Sequence, residues 1–243
     1  QGKVEGLSLT SLDFDGTNDH VAISSESFAD GLNKAAVCFW FQPDASSAAG
    51  YMFSCPDVSS GNNGFDVFVQ SGKVKGGVKS SGTSYTLVTG INDVTLNQWN
   101  HAALVVDGSA INLYLDGVLE ATAAFDTSSA VIEADAGVTH IGNFGSFDGA
   151  YFDGALRDVK FFDHSLSAEQ VASLYSNTNP ITPAHYHKLD EGSGTTAQDT
   201  GTSTERDGTL TNSPAYVNGT LDLDSTLTIA ANGTLSAPRG DLD

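Results

Sequence analysis

Short segments in which apolar and polar residues alternate recur along most of the chain, roughly every 8–15 residues, and this limits the folds open to it. A period of two places successive side chains on opposite faces of a strand. Leu12 and Phe14, then Val21 and Ile23, alternate with polar positions. Ala36–Phe41 is instead an unbroken apolar run, which predicts a central strand buried on both faces. Tyr51–Cys55, Phe65–Gln70, Lys73–Val78 and Thr83–Thr89 follow. Asp107-Gly108 separates Asn100–Val106 from Ala110–Leu115, and Asp116-Gly117 leads into Val118–Thr122. Both dipeptides favour tight hairpin turns. Val138–Ile141 and Ala155–Phe162 close the set. No helical spacing lies between these strands, so the pattern means an antiparallel sandwich or barrel rather than βαβ units.

One helix is predicted, from Ser167 to Tyr175. Ser167 is its N-cap, Gln170 completes a capping box, and Val171, Leu174 and Tyr175 share one face. Such a short helix pins the edge of the domain. Pro180 and Pro183 then begin a linker, which sets the expected division at 1–178 and 179–243. In the second part His185–Leu189 reads as a strand, Glu191–Thr211 is rich in Gly, Thr, Ser and Asp, and Leu221–Ala230 alternates again. Leu221-Asp222-Leu223-Asp224-Ser225-Thr226 echoes Leu12-Asp13-Phe14-Asp15-Gly16-Thr17, as the start of a further repeat would. This β-rich extension is too short and too glycine-rich to bury a core of its own. It is expected to pack on a neighbouring subunit or lead into another repeat.

Thirty acidic residues against ten Lys and Arg give a formal net charge of −20. Such a surface repels phosphate backbones and anionic lipids, so nucleic acid is excluded as a partner. It suits salty surroundings and divalent cations. No apolar run approaches the roughly 18 residues of a membrane span, so no membrane insertion is expected. The chain begins at Gln1 without a visible secretory signal and reads as a processed product or a piece of something longer. Cys38 and Cys55 do not make a disulfide framework. A hairpin of Val37–Phe41 with Tyr51–Cys55 would bring them nearly opposite, but the apolar flanks favour two buried thiols.

An ordered set of stretches carries a family resemblance. Leu12-Asp13-Phe14-Asp15-Gly16-Thr17-Asn18-Asp19-His20-Val21 opens it, and Phe39-Trp40-Phe41-Gln42-Pro43 supplies a tryptophan-bearing strand. Trp99-Asn100-His101-Ala102-Ala103-Leu104-Val105-Val106-Asp107-Gly108 and Leu113-Tyr114-Leu115-Asp116-Gly117 follow. Ile141-Gly142-Asn143, Phe152-Asp153-Gly154-Ala155-Leu156-Arg157-Asp158-Val159 and Leu166-Ser167-Ala168-Glu169-Gln170-Val171 end it. Together, over about residues 8–176, these resemble the laminin-G-like branch of the concanavalin A-like lectin/glucanase superfamily. The resemblance implies an all-β, two-sheet antiparallel jelly-roll sandwich with one short edge helix. The stretch from His185 to Pro214 resembles, more loosely, units that accompany such domains in bacteriophage surface proteins and bacterial adhesins.

Two sites follow from that resemblance. A structural calcium would sit at the opening turn, on Asp13, Asp15, Asn18 and Asp19, with a closing-strand carboxylate. Asp158 is the expected partner and Asp153 the second choice. Without a metal, the same residues simply make the turn. A glycan would lie on a sheet face or a rim loop, against Tyr51, Tyr85, Phe144, Phe147 and Tyr151, with Asn143 hydrogen-bonding it. The competing reading packs these rings into the sheet, and it is stronger still for Trp40 and Trp99.

Catalytic patterns are weak. Retaining glucanases need acids spaced Glu-x-Asp-x-x-Glu on one strand face. Glu133-Ala134-Asp135 begins such a pattern, but Val138 stands at its third position. Asp13/Asp15 and Asp222/Asp224 flank turns or lie on the tail. Arg157, Arg206 and Arg239 are the few arginines a lyase could use, and no Gly-x-Ser-x-Gly elbow occurs. His101 is expected in the core, whereas His185 and His187 are expected on a solvent-exposed face. The expectation is a non-catalytic structural or adhesive module on a virion or cell surface. Its partners would be an extracellular glycan and copies of itself or other structural proteins of a particle. The rival is a carbohydrate-binding module of a secreted polysaccharide-degrading enzyme.

Overall fold

A computed structural model describes residues 10–24, 27–44, 50–57, 64–80, 85–125, 131–134, 137–145, 150–178 and 180–218. Strands β1 (Thr10–Asp15), β2 (His20–Ser24), β3 (Ala35–Pro43), β4 (Gly50–Cys55), β5 (Phe65–Gln70) and β6 (Lys73–Val78) come first. Then come β7 (Thr86–Thr89), β8 (Asn100–Val106), β9 (Ala110–Leu115), β10 (Val118–Ala124), β11 (Val138–Ile141) and β12 (Asp153–Phe162). Helix α1 (Ala168–Ser176) precedes β13 (His185–His187), β14 (Thr196–Ala197), β15 (Gly208–Thr211) and β16 (Ala215–Asn218).

The strands form two eight-stranded antiparallel sheets. The first runs β10-β9-β8-β3-β12-β1-β16, with β13 also paired to β12, and the second runs β14-β15-β2-β11-β4-β5-β6-β7. Phe39, Phe41, Leu104 and Leu156 of the first sheet meet Val21, Ile23, Phe53 and Phe65 of the second in one core. The all-β sandwich expected from the alternating segments is therefore present. The Asp116-Gly117 hairpin holds both residues at positive φ, 50° and 77°, which a two-residue turn between twisted strands requires.

The outer face of the first sheet is apolar as well. Ala36, Cys38, Ala103, Val105 and Phe162 form a second cluster with Val171 and Leu174 of α1 and with Leu166. This explains the unbroken apolar runs: β3 and β8 are buried on both faces. The capping box is formed as expected, Ser167 Oγ accepting from the Gln170 amide and Gln170 Oε1 from the Ser167 amide. Asn177 ends the helix in the left-handed conformation. Trp40 and His101 pack beneath Tyr175, with Trp40 stacked 5.5 Å from that ring. Trp99 is half-buried, with the Arg157 guanidinium 4.1 Å above it.

Two expectations are corrected. β3 and β4 belong to different sheets, so they make no hairpin. Cys38 faces the α1 side and Cys55 the inter-sheet core, and both are free, buried thiols pushed up to about 11 by burial. His185 and His187 are buried, not solvent-facing. Phe28 stacks on His185 at 3.8 Å, His185 Nδ1 bonds Asp199 Oδ2 at 2.6 Å, and His187 Nε2 bonds the Arg206 carbonyl at 2.9 Å. Within residues 185–218, β14 pairs with β15. β13 joins β12, β15 joins β2, and β16 joins β1. Open edges of the same sandwich supply the partners, so a boundary at 178 runs through both sheets. The echo at 221–226 and the strand at 221–230 lie outside the described residues.

Candidate functional site

Along β5, Phe65, Val67 and Val69 point into the core, so Asp66, Phe68 and Gln70 stand on the opposite, outer face of the second sheet. The register slips between Tyr51 and Phe53 of β4. Phe53 and Cys55 therefore enter the core while Tyr51 and Ser54 face outward. Cross-strand pairing then lines up Ala22, His140, Ser54, Asp66 and Gly77 in one row over five strands. Tyr51, Phe68 and Lys75 form the next row.

Asp66 is fully buried in this row. Its Oδ1 accepts from Ser54 Oγ at 2.7 Å, and its Oδ2 from the Gly64 amide and the Tyr85 hydroxyl, each at 3.2 Å. Burial outweighs these three donors and pushes its carboxyl up to about 7. Tyr85 lies over β6, where a Cβ on Gly77 would fall 1.8 Å from its hydroxyl oxygen. A Cβ on neighbouring Gly76 would meet Leu104 across the core at 2.4 Å. The Gly76-Gly77 pair thus lets an opposite sheet and a tyrosine approach one strand from its two sides.

Aromatic rings continue the site. Tyr51 lies between Phe68, stacked at 4.5 Å, and Phe144, tilted at 4.2 Å. Burial first, then the charge of Asp66, raises the Tyr51 hydroxyl. Tyr151 bridges to Tyr51 in parallel, and its ring lies 6.1 Å from His20. His20 lies 5.7 Å from His140, which burial, with the His20 charge second, depresses to about 4. His140 Nδ1 is buried without a hydrogen-bond partner, so a neutral ring fits there better than a charged one.

The expected glycan residues converge in part. Tyr51, Tyr85, Phe144 and Tyr151 gather on this face, and Phe147 lies outside the described residues. Asn143 has a different position. It is buried, its Oδ1 accepts from the Phe144 amide at 2.6 Å and its Nδ2 donates to the Gly145 carbonyl at 3.2 Å, so it shapes the turn that carries Phe144. Sequence reading missed Asp66, Ser54, Phe68, His20 and His140. The alternation within Phe65–Gln70 was the available signal for the first and third of these.

The acidic turn is organised around Asp153, not Asp158. Asp15 pairs with Asp153 across β1 and β12, and the charges of Asp44, Asp153, Asp19 and Asp15 add to burial in raising Asp13. Asp19 and Asp153 are raised for the same reasons, burial leading. Asp15 alone is lowered, chiefly by the Thr17 amide, which donates to its Oδ1 at 2.8 Å. The Asn18 amide also donates to Asp15, at 3.2 Å. Asp158 sits at the bulge between Arg157 and Lys160, beyond the end of β1, where the Tyr186 hydroxyl donates to it. Among the described residues, no three His, Cys, Asp or Glu side chains are arranged to hold a metal ion. The oxygen donors suit calcium in kind but do not form an assembled ligand set.

Residues 15–172 match the laminin-G-type family described as the concanavalin A-like lectin/glucanases superfamily. The chain belongs to that superfamily. No curated protein sequence matches it. Among solved structures it is similar to a "putative carbohydrate binding protein" of Bacteroides ovatus, with TM-score 0.67, 15% identity, and cover of 87% of this chain and 60% of that one. The chain therefore spans about 60% of the length of that protein. It is also similar to the heptameric SAP-like pentraxin of Limulus polyphemus, with TM-score 0.60, 21% identity and cover of 85% and 97%. Domain 4 of AbnA, an extracellular GH43 arabinanase of Geobacillus stearothermophilus in complex with arabinotriose, gives TM-score 0.51, 16% identity and cover of 67% and 75%. At these identities the likeness is one of fold. This superfamily member thus has a lectin-type sandwich that extends past the matched family region into β13–β16.

Proposed function

We propose that the protein is a non-catalytic glycan-binding module, and that the outer face of the second sheet is its binding surface. The observation that carries this reading is the gathering of Tyr51, Phe68, Phe144 and Tyr151 with His20, His140 and Tyr85 on the sheet face turned away from the core. Rings offer apolar faces to sugar C–H groups, and the imidazoles and hydroxyls offer hydrogen bonds. Tyr51 has both faces covered, so it supports the surface, and Tyr151 and His20 are its contact groups. Binding without catalysis is supported by Asp66: its hydrogen-bond partners are Ser54, Gly64 and Tyr85, and among the described residues none of its partners is a second carboxylate to share glycosidase chemistry.

Isothermal titration against a glycan identified on an array tests the proposal. Tyr151→Ala is expected to weaken binding by at least about tenfold, the scale of a lost ring contact. Unchanged binding by a folded Tyr151→Ala protein overturns it. In our reading the module is displayed extracellularly, on a virion or cell surface, in contact with copies of itself. The fold likeness to an arabinanase domain favours the second reading, a module of a secreted polysaccharide-degrading enzyme. A glycoside hydrolase domain in the same gene decides for the second, and neighbouring particle genes for the first.

Calcium at the acidic turn belongs to the same proposal, on charge chemistry alone. A cation would relieve the repulsion that raises Asp13, Asp19 and Asp153. Calorimetry should then show a higher Tm with calcium than with a chelator, and identical melting removes the ion.

A further inference from the structure

A cavity of about 300 Å³ lies on the other side of the molecule, between the C-terminal end of α1, the 180–183 segment and β13. It is independent of the aromatic face of the second sheet. Its walls are apolar at Leu174, Pro180, Ile181 and Pro183, and polar at Asn177 and Thr182. Tyr186 and Lys160 complete it. Tyr186 faces outward because its neighbours His185 and His187 are packed inward on Phe28. Its hydroxyl donates to Asp158, which fixes the ring at its far end. The Lys160 ammonium lies 5.0 Å from the ring centroid and Lys188 5.8 Å from it.

Lys160 is the cation that lines the cavity. It is half-buried, yet among the described residues its Nζ makes no hydrogen bond or ion pair. Lys73 and Lys79 do pair with acids, at Asp93 and at Asp57 and Glu133. An unpaired ammonium beside a cavity of ligand size is a ready partner for an anionic group. The net charge of −20 works against polyanions, so the ligand should carry a single negative group.

We propose that this cavity binds a carboxylate-bearing sugar unit, of the uronic acid class. The carboxylate meets Lys160, the ring's C–H groups meet Tyr186, Ile181 and the prolines, and the hydroxyls meet Asn177 and Thr182. A small cavity with one cation, an aromatic wall and a polar rim matches each part of such a ring. An apolar anion would leave the polar rim unused, and a neutral sugar would leave Lys160 unpaired.

The test is titration, followed by ligand-observed NMR, with glucuronate and galacturonate disaccharides. The corresponding neutral disaccharides and acetate serve as comparisons. Lys160→Met keeps the apolar stem and removes the charge, Lys160→Arg keeps the charge, and Lys188→Met removes a charge that does not line the cavity. Tyr151→Ala separates this site from the sheet face. The uronates should bind the wild type, Lys160→Arg, Lys188→Met and Tyr151→Ala. Lys160→Met should lose about tenfold or more in affinity with an unchanged melting curve, the scale of a lost charge-assisted bond. Equal binding of neutral sugars or acetate, or unchanged uronate binding by Lys160→Met, overturns the proposal. So does absence of uronate binding by the folded wild type. Loss in Tyr151→Ala alone places the uronate on the sheet face instead.

Discussion

The two outer faces of the sandwich are built on opposite principles. On the first sheet, Ala36, Cys38, Ala103 and Val105 are covered by Val171 and Leu174 of α1, so that face is a second core. On the second sheet, the same position in the architecture holds Asp66, Ser54, Tyr51, Phe68 and His140, and among the described residues no helix covers it. A covered face stabilises by removing apolar area from water, and its composition is dictated by packing. A face that buries a carboxylate among rings, without an apolar helix above it among the described residues, answers to something other than apolar packing. The contrast supports the proposal that the glycan surface lies on the second sheet, while the face under α1 contributes stability.

The largest expected effect breaks the covered face. Val171→Asp puts a carboxylate between α1 and the first sheet, and should cost more than about 4 kcal/mol, read as loss of the cooperative thermal transition. A variant that melts like the wild type would show that α1 does not cover a core.

The next effect belongs to the other face. The Asp66 carboxyl is raised to about 7 from an ordinary 3.8, so the folded state holds a proton that the unfolded state has released between those values. Its contribution is therefore fully present below about pH 3.8 and is lost as pH rises through 7, by up to about 4 kcal/mol. His140, depressed to about 4, has the opposite sign: its contribution is present above the ordinary 6.5 and lost as pH falls. Denaturant unfolding of Asp66→Asn and wild type at pH 5 and pH 8 separates the two. The wild type should lose more stability than the variant on going to pH 8. Parallel pH profiles would mean that Asp66 titrates normally.

How much of this contrast was legible in the sequence depends on the distance between partners. The apolar runs in β3 and β8 and the capping box of α1 are local patterns, and the structure repeats them. The Asp66 site is not local, because Tyr85 and Ser54 reach it from other segments. A lone Asp between Phe65 and Val67 reads only as an outward position. Asp153 stands at the acidic turn because the antiparallel register of β1 with β12 sets it opposite Asp15, and a pairing between strands so far apart in the chain leaves no local trace. His185 and His187 alternate like solvent-facing residues, and partners distant in the chain, Phe28, Asp199 and Arg206, hold them inside.

A smaller effect sharpens the role of α1. Ser167→Ala removes the cap on the Gln170 amide and should cost about 1 kcal/mol, a shift of a few degrees in Tm, without changing glycan binding. If glycan binding fell in step, the two faces would be coupled and the division between them would not hold.

The most direct measurement is NMR chemical-shift mapping with a neutral glycan selected on an array. Perturbed signals should cluster at His20, Tyr51, His140 and Tyr151, with residues of α1 unmoved. Shifts gathered on α1, or no neutral glycan bound by the folded protein, would contradict the assignment of the second sheet's outer face as the binding surface.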